Sequence, residues 1–183
     1  MRLHGLHGDR GIVVKLSILK SLNMKTFDDY FEWLMKWEGE VFENDPADPG
    51  GATKFGIDQR SHPLVNIRTL TRDQAKEIYR AEYWLAVKAD KLPWPINWIV
   101  ADIGVNNGKG RAIKWLQEPL GVLVDGKIGT VTVGAACAAD IPKLRQTLLN
   151  RREAFYRSIA KGAQAKFLKG WLNRNDSLRE VTV

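Results

Sequence analysis

Residues 37–57 read WEGEVFENDPADPGGATKFGI, and they join the end of a helix to an irregular loop and a short hairpin. Gly39 favours a helix end directly after Glu38, because glycine readily adopts the backbone conformations that terminate helices. Two Asp-Pro pairs and the Gly50-Gly51 pair then exclude a helix, since the residue before a proline is driven towards extended backbone. We therefore predict an irregular loop that leads into a hairpin or β-ribbon around residues 52–57.

The helix before this loop is predicted to begin at Thr26. Thr26 and Asp29 have the spacing of a capping box, and acidic residues suit the positive end of the helix dipole. Apolar side chains recur at the i, i+3, i+4, i+7 spacing of one helix face, at Phe27, Tyr30, Phe31 and Leu34. On a helical wheel Glu38 continues this row, so we expect its side chain to leave the helix on or beside the buried face.

Further helical patterns fill the rest of the chain. One begins near Thr71, and others cover residues 96–103, residues 111–120, the run around Cys137 and a short segment around residues 167–171. A long helix opens at Asp140, with a predicted inward face of Leu144, Leu148, Phe155 and Ile159. The sequence therefore predicts a mainly α fold, a helical bundle with a small β element after the first helix.

The predicted organisation has four parts. Residues 1–23 are expected to form a flexible N-terminal extension, and residues 24–94 a lobe that carries Glu38. The proline-rich LPWP at 92–95 suggests a boundary, after which residues 95–175 form a second helical lobe and residues 176–183 a tail. No apolar stretch reaches the roughly 20 residues that a membrane-spanning helix needs.

The composition favours certain classes of binding partner but identifies no single one. The formal net charge of +7 favours polyanions, which include nucleic acid, anionic lipid and cell-wall polymers. Seven tryptophans exceed the need of an ordinary core and would suit a carbohydrate cleft, since sugar rings stack on flat aromatic rings. The single cysteine, Cys137, cannot form an internal disulfide and is expected to be buried in its small-residue helix. No zinc-type Cys/His cluster is present, and we expect no metal site and no cofactor.

Glu38 is the first candidate for chemistry. Burial, the negative end of the helix dipole and nearby carboxylates would each favour its protonated form, and a protonated carboxyl near neutral pH is what a glycosidic leaving oxygen requires. Taken alone, a solvated glutamate at a helix end is the better reading. Asp45, Asp48 and Thr53 follow within fifteen residues, where they would face Glu38 across a groove and position water, or would simply form an acidic turn.

The run at 37–57 resembles the signature of glycoside hydrolase family 108, in which a Glu-Gly pair precedes NDPxDPGGxTxxGI. Members of that family are N-acetylmuramidases of phage, prophage and bacterial origin with a lysozyme-like fold, and their catalytic glutamate matches Glu38. One departure is Glu40, where the family commonly has glycine. The resemblance continues through LTRDQAKEIYRAEYW and into a C-terminal half often described as a predicted peptidoglycan-binding domain, covering roughly residues 26–175.

The resemblance extends to phage lysozymes of the T4 type, which use a glutamate, an aspartate and a threonine in that order. It implies Asp48 as the second carboxylate with Thr53 assisting, and Asp45 as the competitor. The residues that we expect to bind the sugar are Tyr79, Tyr83, Trp84, Asp102 and Asn106. Asp102 and Asn106 are four residues apart and would share one helix face, whereas core packing is an equal alternative for Tyr79 and Tyr83.

The implied function is cofactor-free hydrolysis of the β-1,4 bond between N-acetylmuramic acid and N-acetylglucosamine, with Glu38 as general acid. The implied role is a phage or prophage endolysin, made in the host cytoplasm and acting as a monomer on wall glycan strands in the periplasm. Anionic wall polymers or a membrane surface are further partners. The alternatives are a lytic transglycosylase, a non-catalytic wall-binding or secretion-accessory protein, and a nucleic-acid binder, for which no recognition motif is present.

Overall fold

The computed structural model describes residues 26–44 and 50–183, which contain seven α-helices and one two-stranded antiparallel sheet. This confirms the prediction of a mainly α fold with a small β element. The sheet consists of β1 (Thr53–Lys54) and β2 (Ile57–Asp58). The helices are α1 (Phe27–Glu38), α2 (Arg72–Tyr79), α3 (Ile96–Asn107), α4 (Lys109–Leu120), α5 (Thr130–Ala138), α6 (Ile141–Ile159) and α7 (Leu168–Val181).

Helix α1 has the predicted ends. The Thr26 side chain accepts from the Asp29 backbone N–H at 3.3 Å, and the Asp29 carboxylate accepts from the Thr26 N–H at 2.9 Å, which completes the capping box. Gly39 ends the helix with φ 74° and ψ 161°, a backbone region that is essentially restricted to glycine. The last side chain of α1 is therefore that of Glu38.

The hairpin is closed by Phe55 and Gly56, whose φ angles are 54° and 73°. Two consecutive residues with positive φ form the type I′ turn that matches the twist of a two-residue hairpin. The start of β1 is also tied back to the preceding segment, because Glu43 and Thr53 exchange two backbone hydrogen bonds of 2.8 Å. The hairpin predicted around residues 52–57 is confirmed.

Helix α2 runs antiparallel to α1 and holds it in place. Its capping box is Thr71 with Gln74, as predicted, and the helix continues into a π-helical turn at Arg80–Leu85. Arg72 pairs with Glu32 at 2.8 Å, and Lys76 pairs with Asp28 at 3.0 Å. Tyr30 and Trp33 of α1 pack against Trp98 of the apolar α3, in which every residue from Ile96 to Gly104 is buried.

Three expectations for the C-terminal half are wrong. On α6, Ile159 is 37% exposed, and the buried face runs instead through Leu148, Arg152 and Tyr156, because these residues are spaced four apart. Cys137 is exposed. Helix α7 continues to Val181 and buries Leu178 completely, so residues 176–181 are not a tail. The extension predicted at 1–23 lies outside the described residues.

None of the helices that the structure describes is both long enough and apolar enough to cross a membrane.

Gly39→Ala should lower the free energy of unfolding by about 1–3 kcal/mol, because alanine is strained in this backbone region. A Cβ at residue 39 would meet no atom of residues 26–44 or 50–183 within 4 Å, so the effect reports backbone strain. Urea unfolding followed by circular dichroism measures it. The matched control is Gly134→Ala in α5, where the added Cβ also meets no atom within 4 Å but the backbone is helical. Alanine there should raise stability by up to about 1 kcal/mol, and equal losses in both variants would contradict the assignment.

Candidate functional site

Glu38 is held by a cation from the far end of the chain. Its Oε1 accepts from Arg174 Nη1 at 2.7 Å, and its side chain keeps 18% exposure while Arg174 keeps 9%. The two residues are 136 positions apart and come from α1 and α7. Glu38 is thus a fixed carboxyl group that still reaches solvent.

Arg174 is in turn held by Asp102 from the buried helix α3. Arg174 Nη2 donates to Asp102 Oδ1 at 2.6 Å, and Arg152 Nη1 of α6 lies 2.7 Å from Asp102 Oδ2. Asp102 and Arg152 are fully buried. Burial alone would raise the pKa of Asp102, but the charges of Arg174 and Arg152 and the hydrogen bonds to them outweigh it and hold that pKa below its usual value. Asp102 is therefore a permanent anion beneath the site.

The hydrogen-bond network continues to the end of α3. Arg152 Nε donates to the Tyr156 hydroxyl at 2.9 Å, and that hydroxyl donates to Asn107 Oδ1 at 3.3 Å. Although burial would lower the pKa of Arg174, Asp102 and then Glu38 raise it further above neutrality. Arg174 is thus firmly charged.

The hairpin turn closes the other side of Glu38. A Cβ built on Gly56 would lie 2.6 Å from both Glu38 Oε2 and the Tyr79 hydroxyl, so only glycine allows this approach. The Tyr79 hydroxyl donates to the Phe55 carbonyl at 2.9 Å and fixes the turn. The Tyr83 ring packs at a tilt against that of Tyr79, with ring centroids 5.5 Å apart. Burial raises the pKa of Tyr79, as does the charge of Glu38, so its hydroxyl stays protonated at neutral pH.

The structure distributes the predicted sugar-binding residues over different environments. Tyr83 is half-buried and Asn106 is exposed, whereas Tyr79 and Trp84 are buried, Trp84 against Phe27 and Tyr30 of α1. Asp102 does not share an exposed face with Asn106. Its carboxylate lies under Arg174, and the Asn106 amide bonds to its backbone carbonyl at 3.1 Å. Asp102 thus acts on Arg174 rather than on a sugar.

None of the predicted partners of Glu38, which are Asp45, Asp48 and Thr53, is seen in contact with it among the described residues. Asp45 and Asp48 lie outside the described residues. Thr53 is half-buried, and its backbone is paired on both sides, with Glu43 and with β2. Among the described residues, the Thr53 hydroxyl makes no hydrogen bond to Glu38. The part of the chain that the structure describes also holds no group of three or more His, Cys, Asp or Glu side chains able to bind a metal ion.

Sequence reasoning missed Arg174 and Arg152. Both occupy positions in the apolar rows of their helices: Arg152 lies between Leu148 and Tyr156, and Arg174 between Trp171 and Leu178. A charged residue in a buried row was the available signal. Glu40, where the family commonly has glycine, is exposed and bonds to Arg72 at 3.0 Å, which offsets its charge.

The comparisons with known proteins agree with the architecture. The family model described as Glycosyl hydrolase 108 matches residues 31–108, and the model described as Predicted Peptidoglycan domain matches residues 111–176. Twelve chains of solved structures match. One of them, the structure of Brucella abortus SagA, is 30% identical, with a TM-score of 0.73 over 85% of this chain and 92% of that chain. No curated protein gives a significant match.

Gly56→Ala should destabilise the protein more than Gly51→Ala does. Both glycines have φ near +74°, at 73° and 74°, so the backbone strain is matched. Among the described residues, the Cβ at residue 51 would meet only Gln59 at 3.8 Å, whereas that at residue 56 collides with Glu38 and Tyr79. We expect an extra loss of about 1–3 kcal/mol for Gly56→Ala from overpacking. Equal losses of unfolding free energy in the two variants would show that the turn does not pack on Glu38.

The buried anion should give stability a specific pH dependence. Because the pKa of Asp102 is lower in the folded state, it contributes stability above its unfolded pKa of about 3.9, and this stability is lost as the pH falls through the folded pKa. Asp102→Asn should be destabilised by about 3–5 kcal/mol at pH 7, since it leaves buried arginine charge uncompensated. Its stability should fall less steeply than that of the unaltered chain below about pH 4. Urea unfolding from pH 7 to pH 3 tests this, and parallel curves would refute it.

Proposed function

We propose that this chain, which belongs to the glycosyl hydrolase 108 family, is a muramidase that cleaves the β-1,4 bond between N-acetylmuramic acid and N-acetylglucosamine with Glu38 as general acid. Membership of the family makes the chain a glycosidase that acts on peptidoglycan, and residues 111–176 match a peptidoglycan domain. The bond and the acid are our assignment, and the chemistry of the Glu38 surroundings supports them.

The observation that carries the assignment is the unequal environment of the two Glu38 oxygens. Oε1 accepts from Arg174 at 2.7 Å, which leaves Oε2 as the oxygen from which Glu38 would donate a proton. Oε2 lies against the Gly56 turn, close enough that a Cβ there would come within 2.6 Å of it, so a bare backbone turn and not a second cation flanks this oxygen. When Oε2 transfers its proton to the glycosidic oxygen, Glu38 becomes an anion, and Arg174 is already positioned to stabilise that charge.

Cleavage then leaves an oxocarbenium-like carbon that water attacks. We assign the activation or positioning of that water to Asp48, with Asp45 as the competitor and Thr53 assisting. Thr53 begins the strand that leads into the Gly56 turn, and its backbone pairs with Glu43. A water molecule between the carboxyls gives inversion, and direct attack by a closer carboxylate gives retention.

Of the predicted sugar-binding residues, Tyr83 and Asn106 keep surface that is accessible to a sugar. Tyr83 is half-buried, and Lys109 Nζ lies 5.6 Å from its ring centroid. Burial, then the charges of Glu82 and Glu38, raise the pKa of Tyr83, so its hydroxyl is a hydrogen-bond donor at neutral pH. We assign Tyr79 to the wall of the site, Trp84 to the core and Asp102 to the support of Arg174.

The cellular role that fits this chemistry is a phage or prophage endolysin. Such a chain is made in the host cytoplasm and acts on wall glycan strands in the periplasm, as a monomer and without a cofactor. The net charge of +7 would hold it on anionic wall polymers or on a membrane surface.

Glu38→Gln should reduce glycan cleavage by about 10²–10⁴-fold, because the amide cannot donate the proton. Purified peptidoglycan is digested, and the soluble products are identified by mass spectrometry. Reducing-end N-acetylmuramic acid indicates hydrolysis of the proposed bond, whereas an anhydro product indicates a lytic transglycosylase. Asp48→Asn and Asp45→Asn, measured in parallel, identify the second carboxylate by which of the two loses activity.

Glu40→Gln is the matched control, because it makes the same chemical change two residues away in an exposed side chain that bonds to Arg72. It should keep cleavage within about twofold of the unaltered chain. If Glu38→Gln digests walls as well as Glu40→Gln does, Glu38 is not the acid. A chain that binds walls but releases no fragments would be a wall-binding accessory protein, and a salt-sensitive complex with DNA without wall cleavage would indicate a nucleic-acid binder.

A further inference from the structure

Five aromatic side chains form a continuous row across three helices of the C-terminal half and the 3-10 turn at Gly162–Phe167. Successive ring centroids lie 5.3 Å apart for Trp115 and Phe155, 6.0 Å for Phe155 and Tyr156, 5.3 Å for Tyr156 and Trp171, and 5.9 Å for Trp171 and Phe167. The row joins α4, α6 and α7. We call it the aromatic row.

Most of the aromatic row is accessible. Trp115, Phe155 and Trp171 are half-buried, and Phe167 is 45% exposed. By contrast, three other tryptophans, Trp33, Trp84 and Trp98, are 3–5% exposed within the main core. Exposed aromatic side chains in a contiguous patch cost hydrophobic free energy and commonly mark a binding surface.

Cations lie beside the aromatic row. Residues 154–175 contain five lysines and arginines, of which Arg157 pairs with Glu153 and Arg174 with Glu38 and Asp102. Lys166 Nζ lies 4.9 Å from the Phe167 ring centroid, and Arg111 Cζ lies 4.4 Å from that of Phe155. A ligand with flat apolar faces and negative charges would match both properties.

The aromatic row is also connected to Glu38. The Tyr156 hydroxyl accepts from Arg152, which pairs with Asp102, which binds Arg174 and through it Glu38. Trp171 lies three residues before Arg174 on α7, one turn along the same helix. Trp171 therefore lies one helical turn from the arginine that binds Glu38.

We propose that the aromatic row is a glycan subsite that binds the peptidoglycan strand beyond the cleaved bond. The C–H faces of the sugars stack on Trp171 and its neighbours, while the lactyl and stem-peptide carboxylates pair with Arg111 and Lys166. The identity of the polymer rests on the proposed function. The stacking is specific to a sugar, and an anionic lipid surface is the competing ligand.

The test compares Trp171→Leu with Trp171→Phe, both in the Glu38→Gln background so that binding is measured without cleavage. Leucine preserves apolar packing between α6 and α7 but removes the flat ring, whereas phenylalanine retains a ring. A chito-oligosaccharide, which is neutral, probes stacking by isothermal titration calorimetry, and sedimentation with purified sacculi probes the whole polymer. We expect Trp171→Leu to weaken oligosaccharide binding at least about fivefold and Trp171→Phe to retain most of it.

Lys166→Gln should weaken binding to sacculi but leave oligosaccharide binding within about twofold, because only the sacculi carry carboxylates. Thermal unfolding of each variant confirms that it is folded. Equal oligosaccharide affinity in the leucine and phenylalanine variants, or binding to phosphatidylglycerol vesicles that depends on Trp171 while oligosaccharide binding does not, would overturn the proposal. If the unaltered chain fails to cleave peptidoglycan while these binding differences persist, the proposed cleavage fails and the subsite stands.

Discussion

The fold depends on keeping the buried charge of Asp102 compensated. Asp102 lies on the central helix α3, with Arg152 of α6 at 2.7 Å and Arg174 of α7 at 2.6 Å. Removing one partner from a buried ion pair costs about 3–5 kcal/mol, a large part of the stability of an ordinary domain. Three helices must therefore dock together for any of these charges to be buried. The same constraint delivers the guanidinium of Arg174 to Glu38, so the folded core and the site are one arrangement.

The hairpin imposes a second constraint, which is steric: its backbone must approach the Glu38 carboxyl group closely. Gly39 lets the chain leave α1 immediately after Glu38, and Gly56 brings the returning backbone against the same carboxyl group. Neither step tolerates a side chain, because Gly39 has a backbone conformation restricted to glycine and Gly56 has no space for a Cβ. Glu38 is thereby fixed between a charged side chain and a bare backbone turn, and only part of its surface stays accessible.

Short sequence patterns predicted much of the secondary structure around Glu38. The capping boxes of α1 and α2, the helix end at Gly39 and the hairpin near residues 52–57 depend on neighbours in sequence, so they could be read directly. The partners of Glu38 could not. Arg174 stands 136 residues away, and nothing local specifies that its helix meets α1. Charges at Asp102, Arg152 and Arg174 interrupt apolar rows, which indicates burial and pairing, but which pairs form is decided by tertiary packing. Ile159 shows the converse error, since an apolar residue at helical spacing lies partly in solvent.

The charges of Arg174, Arg152 and Asp102, which we call the charge cluster, bear on proton transfer from Glu38 in the proposed reaction. Arg174 and Arg152 carry two positive charges, and Asp102 carries one negative charge held below its usual pKa. With Glu38 protonated, the charge cluster is left with one uncompensated positive charge, whereas ionised Glu38 makes it neutral. Transfer of the proton to the glycosidic oxygen therefore brings the least exposed part of the site to neutrality, and the fixed arginine needs no reorganisation to stabilise the new anion. The same charge balance explains why Asp102 belongs beneath the site rather than in contact with the sugar. Without it, the buried charge of Arg152 would lose this partner and Arg174 would be held by Glu38 alone.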